Sequence, residues 1–167
     1  ETTSPKKGKW LDVQRCQVLG YSVAPEPNRA VYYPHPPDQG MVAVLEGDEV
    51  KVVHNAKFEI TVLGNLGVAL RNFHDTKLAA YLLGYPTTHL KVLTRQLLHR
   101  DAVTYAEVTK GREMSEVPPE EVAPYACADA DNTLQLWGRL EPALHESGLW
   151  GLYVDVELPL IPVLAEI

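Results

Sequence analysis

A tyrosine and an aspartate, Tyr125 and Asp129, have the clearest capacity for chemistry in this sequence. Residues four apart lie on one face of a helix, so the phenol and the carboxylate would stand side by side. In that arrangement the carboxylate can bind a metal cation while the hydroxyl orients a metal-bound water. An ordinary helix with a half-buried tyrosine and a solvated acid has the same spacing, so the pair alone leaves both interpretations open.

Two further acids are candidates for the same chemistry. Glu59 follows His54 and Asn55 at a predicted strand-to-helix junction. Its carboxylate would lie at the C-terminal edge of a sheet, where α/β folds collect their ligands. The alternative is that it only complements the dipole of its helix. Glu1, taken by itself, predicts no more than a polar, frayed end of the chain.

The strands expected to position these side chains lie in the first half of the sequence. Apolar runs predict strands at 14–24 and 29–33, which a Pro-Glu-Pro-Asn turn would join as an antiparallel hairpin. Shorter strands are predicted at 51–54 and 70–73. The proline-rich segment 34–40 is predicted to be a surface loop.

Helical periodicity dominates the rest of the chain. Gly67 is expected to end a helix that follows Asn55, and Asp75 or Thr76 to cap the next one. The later helices are predicted at 76–83, at 90–99, at 118–147 with kinks at Pro124 and Pro142, and from 149 onward with breaks at Pro159 and Pro162. The polar stretch 101–117 is predicted to be a mobile loop. Strands first and helices later indicate a mixed α/β domain.

Composition narrows the class of protein. The formal net charge of −7 argues against a free-standing nucleic-acid binder, which normally carries a basic stripe. It is compatible with a nuclease site, because carboxylates that hold divalent cations make a domain acidic until the metal binds. Charges and prolines interrupt every apolar run before the roughly 18–20 residues that cross a bilayer. With no signal-peptide pattern at the N-terminus, the expected location is the cytoplasm.

In combination, these segments resemble the proofreading exonuclease domain of family A DNA polymerases. The resemblance rests on Asn-x-Lys-Phe-acid at 55–59, Asp-Thr at 75–76 and Tyr-x-x-x-Asp-Ala-Asp-x-Thr-Leu-Gln-Leu at 125–136, in this order. Glu1-Thr2 resembles the second half of the family's first motif, Asp-x-Glu-Thr. The resemblance implies an RNase H-like exonuclease fold, in which a mixed central sheet is flanked by helices.

The resemblance also implies a catalytic set. Glu1, Glu59 and Asp129 would be the metal ligands of a two-metal site for Mg²⁺ or Mn²⁺, and Tyr125 would orient the attacking water. These four residues are the predicted catalytic residues.

Three more residues are implied to contact the substrate, the single-stranded 3′ end of DNA. Asn55 and Lys57 would shape the site around Glu59, and Tyr105 would stack on a base. For Tyr105 the alternative is a loop tyrosine that packs on the domain.

The domain is expected to extend over residues 1–155, with its N-terminal strand and first aspartate upstream of Glu1. Residues 156–167 resemble the start of the connection to an attached polymerase domain. Glu59 stands where the family has aspartate, and its extra methylene would displace the carboxylate by roughly 1.5 Å. A displacement of about 1 Å can lower a rate on the order of a hundredfold.

Three functions remain open at this point. The leading hypothesis is a 3′→5′ DNA exonuclease that edits for an attached polymerase. The second is a catalytically degenerate domain that only supports the polymerase, which the Glu59 departure favours and Tyr125, Asp129 and Lys57 oppose. The third is an RNase D-like RNA exonuclease, which the polymerase-like segment 157–166 argues against.

Overall fold

The computed structural model describes residues 1–7 and 10–166. Its described strands form three two-stranded sheets, two antiparallel and one parallel. They are β1 (Lys6–Lys7), β2 (Trp10–Leu11), β3 (Tyr21–Glu26), β4 (Arg29–Tyr33), β5 (Lys51–Val53) and β6 (Phe73–Asp75). The helices are α1 (Gln39–Glu46), α2 (Ala56–Gly64), α3 (Thr76–Leu82), α4 (Leu90–Leu98), α5 (Tyr105–Thr109), α6 (Pro119–Glu146), α7 (Trp150–Leu152) and α8 (Leu158–Ala165). The mixed α/β class predicted from the sequence is confirmed.

The predicted hairpin is present as β3 and β4, which pair in antiparallel register from Tyr21↔Tyr33 to Glu26↔Arg29. Asn28 closes the turn with a φ of +64°, a conformation that asparagine tolerates better than most residues. The hairpin packs on α6, where the Ser22 hydroxyl donates a hydrogen bond of 2.8 Å to the carbonyl of Ala126. This contact fixes the hairpin beside the helix that carries Tyr125 and Asp129.

The predicted strand at 14–24 is wrong over its first half. Val13–Arg15 forms a 3₁₀ turn instead, and the strand begins only at Tyr21. The side-chain amide of Asn65 explains the turn, because it donates hydrogen bonds of 3.3 Å to the carbonyls of Val13 and Cys16. These carbonyls are therefore bound by a side chain rather than by a neighbouring strand.

The parallel pair of β5 and β6 carries the junctions on which the site depends. Val53 pairs with Asp75, and α2 forms the crossover between the two strands. The strand predicted at 70–73 is displaced to Phe73–Asp75, because Asn72 has a φ of +46° and cannot continue a strand. The predicted loop at 34–40 is shorter than expected, since Asp38 accepts a hydrogen bond from the Met41 amide and starts α1 at Gln39.

The main core lies between α3, α4 and α6 and the segment after α7. Its buried members are Ala79, Ala80, Leu93, Leu136, Trp137, Leu140, Leu144 and Tyr153. His74 stacks on Trp137 with 4.4 Å between ring centroids, next to the fully buried Tyr153. This core fixes the direction of α6 relative to the parallel strand pair.

The prediction of a mobile loop at 101–117 is wrong. This stretch contains α5 and a 3₁₀ turn at Met114–Glu116. Thr104 and Glu107 form a reciprocal capping box at the start of α5. Val108, Met114 and Val117 are buried against α6, so the few apolar residues of this segment are sufficient to dock it.

The breaks predicted at Pro159 and Pro162 are wrong, whereas the kinks predicted at Pro124 and Pro142 stay predictions. The helix α6 is 28 residues long and continues through Pro124 and Pro142. The last segment is helical from Trp150 to Ala165, with a π-helical stretch at Tyr153–Glu157. That wider turn ends just before Pro159, where a regular α-helix would lack a hydrogen-bond donor.

Within residues 1–7 and 10–166, no single helix is long and apolar enough to cross a membrane. Only α6 taken together with the segment Trp150–Ala165 passes that test, and the two are bent by 116° relative to one another.

The junction between β5 and α2 gives the fold a pH dependence. His54 is largely buried and hydrogen-bonds through Nδ1 to the Thr76 hydroxyl at 2.8 Å. Burial lowers the pKa of His54 to about 4, against the opposing effect of Asp75. Between about pH 6.5 and pH 4 the unfolded chain therefore binds a proton that the folded chain does not. The contribution of neutral His54 to the free energy of unfolding is complete above pH 6.5 and is lost as the pH falls from about 6.5 to about 4.

We expect His54 to lower the free energy of unfolding by up to about 3 kcal/mol between pH 6.5 and pH 4. Urea unfolding at a series of pH values measures this slope. His54→Gln keeps a hydrogen-bonding group but does not titrate, so its curve should be flatter in the same window. An identical pH slope in the two proteins would exclude His54 as the source.

Candidate active site

The helix α6 holds Tyr125 and Asp129 on one face, as the sequence predicts. Both side chains are partly buried, and both lie against a lysine from α4. The Lys91 ammonium pairs with the Asp129 carboxylate and lies 4.2 Å from the centroid of the Tyr125 ring. Lys91 was not among the residues predicted from the sequence. The sequence hints at Lys91 only by its place: it is a charged residue directly after Leu90, at the start of a helix whose apolar side packs in the core.

The N-terminal residues are ordered beside the start of β3. The backbone nitrogen of Glu1 donates a hydrogen bond of 2.6 Å to the Gly20 carbonyl, and the Glu1 carbonyl accepts one of 2.9 Å from the Leu19 amide. Thr2 bridges to Val18 in antiparallel fashion. The expectation of a frayed end is therefore wrong, because residues 1–3 pair with the segment before β3.

The predicted acids lie within electrostatic range of one another. Burial raises the pKa of Glu59, and the charges of Glu1 and Asp75 raise it further. Burial also raises the pKa of Asp129, with Glu1 adding to the shift and Lys91 opposing it. The pKa of Tyr125 is raised by burial first and then by the charges of Asp129 and Glu1. The charge of Glu1 thus acts on the other three predicted catalytic residues.

This arrangement suits a cation in its chemistry. Glu1, Glu59 and Asp129 offer only oxygen ligands, which hard cations such as Mg²⁺ prefer. Burial is the main cause of the raised pKa values of Glu59 and Asp129, and the neighbouring Glu1 carboxylate adds to both shifts. In the described part of the chain, however, no three His, Cys, Asp or Glu side chains are grouped closely enough to hold one metal ion. The carboxylates would have to approach one another when a cation binds.

Asp75 was predicted as a helix cap, and the structure gives it a larger role. It is 4% exposed, and its carboxylate accepts hydrogen bonds from four backbone amides. The amides of Asn55 and Ala56 lie at 3.0 and 2.8 Å, and those of Lys77 and Leu78 at 2.8 and 3.4 Å. One buried carboxylate therefore binds the first turns of both α2 and α3, and it positions the helix that carries Glu59.

Asn55 and Lys57 lie at the start of α2. Asn55 has a φ of +77°, and its side-chain oxygen accepts a hydrogen bond of 3.3 Å from Lys77. Lys57 is exposed, and together with Asn55 it lines an open pocket that also includes Phe58 and Ala165. Asn55 shapes the entry into α2 through its backbone, whereas Lys57 is directed to this pocket.

Tyr105 is the first residue of α5 and is 42% exposed. Its hydroxyl lies 3.4 Å from the hydroxyl of Ser4. Val108 of the same helix belongs to the buried cluster against which Tyr125 packs, so α5 lies next to the part of α6 that carries Tyr125. A tyrosine this exposed does not pack in the core, and its ring is open to a stacking partner.

Solved structures share this fold. The chain superposes on Brucella melitensis NrnC with bound Mg²⁺ with a TM-score of 0.82 and 19% identity, covering 99% of this chain and 81% of that one. The POL domain of Pol1 from M. smegmatis, in complex with DNA primer-template and dNTP, gives a TM-score of 0.73 at 24% identity over 90% of this chain and 25% of that one. The class of protein is thus an α/β domain with an RNase H-like exonuclease fold.

Sequence comparison then gives the family. A family model described as 3′-5′ exonuclease matches residues 30–145. DNA polymerase I of Rhizobium leguminosarum is 30% identical over 203 residues and covers 99% of this chain, and that of Chloroflexus aurantiacus is 35% identical over 173 residues and covers 89%. The chain belongs to the 3′-5′ exonuclease domain family of DNA polymerase I, which confirms the family predicted from the sequence. It spans 19% and 18% of the length of these two relatives.

Proposed function

We propose that this chain is a divalent-metal-dependent 3′→5′ exonuclease domain that shortens the single-stranded 3′ end of DNA. It would edit for a polymerase domain attached to it in the same protein, in the cytoplasm. The observation that carries the proposal is the pairing of Tyr125 and Asp129 on one face of α6 beside Lys91, with the charge of Glu1 acting on both of them and on Glu59. Membership of the 3′-5′ exonuclease family supports the reaction, and the names of the curated relatives support the attached polymerase.

In this proposal the three carboxylates of Glu1, Glu59 and Asp129 hold Mg²⁺ or Mn²⁺. Bound cations of this kind activate a water and stabilise the leaving 3′ oxygen during phosphodiester hydrolysis. The Tyr125 hydroxyl orients the attacking water. Burial raises the pKa of this hydroxyl above its usual value, so the hydroxyl keeps its hydrogen atom for a hydrogen bond even at alkaline pH. Asn55 and Lys57 hold the strand entering beside α2.

The test is a cleavage assay on a single-stranded DNA labelled at its 5′ end, with an RNA of the same sequence in parallel. We expect a ladder that shortens one nucleotide at a time from the 3′ end, that requires Mg²⁺ or Mn²⁺, and that stops on addition of a chelator. Tyr125→Phe should slow the cleavage without changing the metal requirement. Cleavage of the RNA alone, or cleavage that a chelator does not stop, would contradict the proposal.

A second candidate function is a catalytically degenerate domain that supports the polymerase. Two observations favour it: Glu59 replaces the aspartate of the family pattern, and Lys91 already pairs with Asp129. The same assay separates the two functions. Glu59→Asp should raise the cleavage rate if the extra methylene displaces the carboxylate, whereas a degenerate domain should cleave in neither form.

Tyr105 gives a test of the proposed DNA contact that does not depend on catalysis. Tyr105→Ala should weaken binding of a short single strand by roughly 1–3 kcal/mol, because it removes one aromatic face for a base. It should change the free energy of unfolding by about half a kcal/mol or less, since the side chain is exposed. Fluorescence anisotropy in a chelator measures the binding.

The matched control is Tyr81→Ala, which removes a tyrosine that is 68% exposed on α3. This variant should bind the strand as the unmodified protein does. Equal losses in the two variants would indicate non-specific stacking on exposed aromatics, and the assignment of Tyr105 would then be wrong.

A further inference from the structure

We propose that Lys91 is the resident counter-cation of the active site and competes with the divalent cation for Asp129. The proposal rests on the proposed function, because it assumes that Asp129 is a metal ligand. It adds a residue that sets the metal affinity of the site, and it explains how the site remains stable when it holds no metal.

The position of the ammonium supports this role. Lys91 reaches from α4 to α6, pairs with the Asp129 carboxylate and lies 4.2 Å above the Tyr125 ring. The side chains of Lys91 and Asp129 are 19% and 22% exposed, so the pair is largely shielded from water. Among the described residues, the one positive side chain paired with this carboxylate therefore lies between the predicted ligand and the residue predicted to orient water.

The balance of charge favours exchange for a stronger cation. The Asp129 carboxylate pairs with Lys91, while the charge of Glu1 acts against it, and the charges of Glu1 and Asp75 act against the Glu59 carboxylate. A single ammonium, which binds through hydrogen bonds, leaves part of this negative charge uncompensated. A divalent cation would bring twice the charge and would coordinate the oxygens directly.

The exchange needs no movement of the backbone. Leu93 and Thr94 are fully buried, and Arg95 donates a hydrogen bond of 2.9 Å to the carbonyl of Ala102, so α4 is fixed in place. The lysine side chain has a flexible four-carbon stem and can leave Asp129 by rotation alone. Two states follow, one with Lys91 on Asp129 and one with a metal ion in its place.

Competition of this kind makes a quantitative prediction. If the free carboxylate is available about a tenth of the time, removal of Lys91 should strengthen cation binding about tenfold. Removal should also lower the stability of the metal-free protein, because Asp129 is then a buried charge without a partner. The two effects have opposite signs, and a merely structural lysine would not produce both.

The experiment measures Mn²⁺ binding to the full chain by electron paramagnetic resonance, and thermal unfolding in a chelator. Lys91→Met removes the ammonium but keeps the apolar stem. Arg139→Met is the matched control, since Arg139 is exposed on α6 about 15 Å along the helix from Asp129 and carries the same charge. We expect Lys91→Met to bind Mn²⁺ about tenfold more tightly and to unfold at a lower temperature without metal, and Arg139→Met to do neither.

The outcomes separate this inference from the proposed function. If Lys91→Met and the unmodified protein bind Mn²⁺ equally, and Asp129→Asn abolishes that binding, the competition is excluded while the metal site stands. Weaker binding by Lys91→Met would also overturn the inference, because Lys91 would then support the metal. If none of the variants binds Mn²⁺, both the inference and the metal-dependent function are wrong.

Discussion

Asp129→Asn should lower the rate of 3′ cleavage at least about a hundredfold. Asparagine preserves the shape of the side chain and one oxygen, but it removes the charge that a cation would bind. Loss of a residue that only orients a metal ligand already lowers metal affinity or activity about 10–100-fold. Loss of a ligand itself should lower the activity by the upper end of this range or more. The measurement is the initial rate of shortening of a 5′-labelled strand at saturating Mg²⁺ and again at saturating Mn²⁺.

The control for this substitution is Glu146→Gln, an exposed acid at the end of the same helix. It changes the net charge equally and should leave the rate within about twofold, as surface substitutions usually have small effects. Circular dichroism should show both variants folded. If Asp129→Asn cleaves as fast as the control, then Asp129 is not a metal ligand, and its pairing with Lys91 is structural.

Asp75→Ala should lower the free energy of unfolding by about 3 kcal/mol or more. The carboxylate accepts hydrogen bonds from four backbone amides at the starts of α2 and α3, and a lost N-cap costs about 0.5–2 kcal/mol for each helix. The site is buried, so the freed amides cannot all bond to water, and each unsatisfied group adds to the cost. Urea unfolding followed by circular dichroism measures the difference.

Asp38→Ala provides the comparison for this effect. Asp38 caps α1 through one hydrogen bond of 2.9 Å to the Met41 amide, and its side chain is exposed. Its loss should cost only about 1 kcal/mol. If the two substitutions cost the same, the shared cap on α2 and α3 contributes no more than an ordinary helix cap. Asp75→Asn should be intermediate, because its amide keeps one acceptor oxygen.

The sequence was most informative where local chemistry decides local structure. The hairpin of β3 and β4, the cap at Asp75 and the long helix starting at Pro119 follow from turn residues, capping residues and periodicity. These signals act within a few residues of their own position. The prediction for the segment 101–117 failed for the opposite reason, since its few apolar residues become meaningful only against α6.

The candidate site likewise combines features that the local sequence indicates with features that depend on tertiary packing. The spacing of Tyr125 and Asp129 on one helix, and the order of the three segments along the chain, were sufficient to indicate the exonuclease family. The sequence therefore indicated which chemical groups the site contains and the family to which the chain belongs. Both follow from residue types and from short spacings, because side chains four residues apart on a helix lie next to one another.

The residues that surround these groups depend on contacts between distant segments of the chain. Lys91 is 38 residues from Asp129 along the chain, and Glu1 pairs with the segment before β3, so no local pattern could bring either to α6. Asp75 likewise serves two helices because β5 and β6 run parallel and end at the same edge of the sheet. Contacts of this kind are set by the packing of distant elements on a common core, and the electrostatics of the site depend on them.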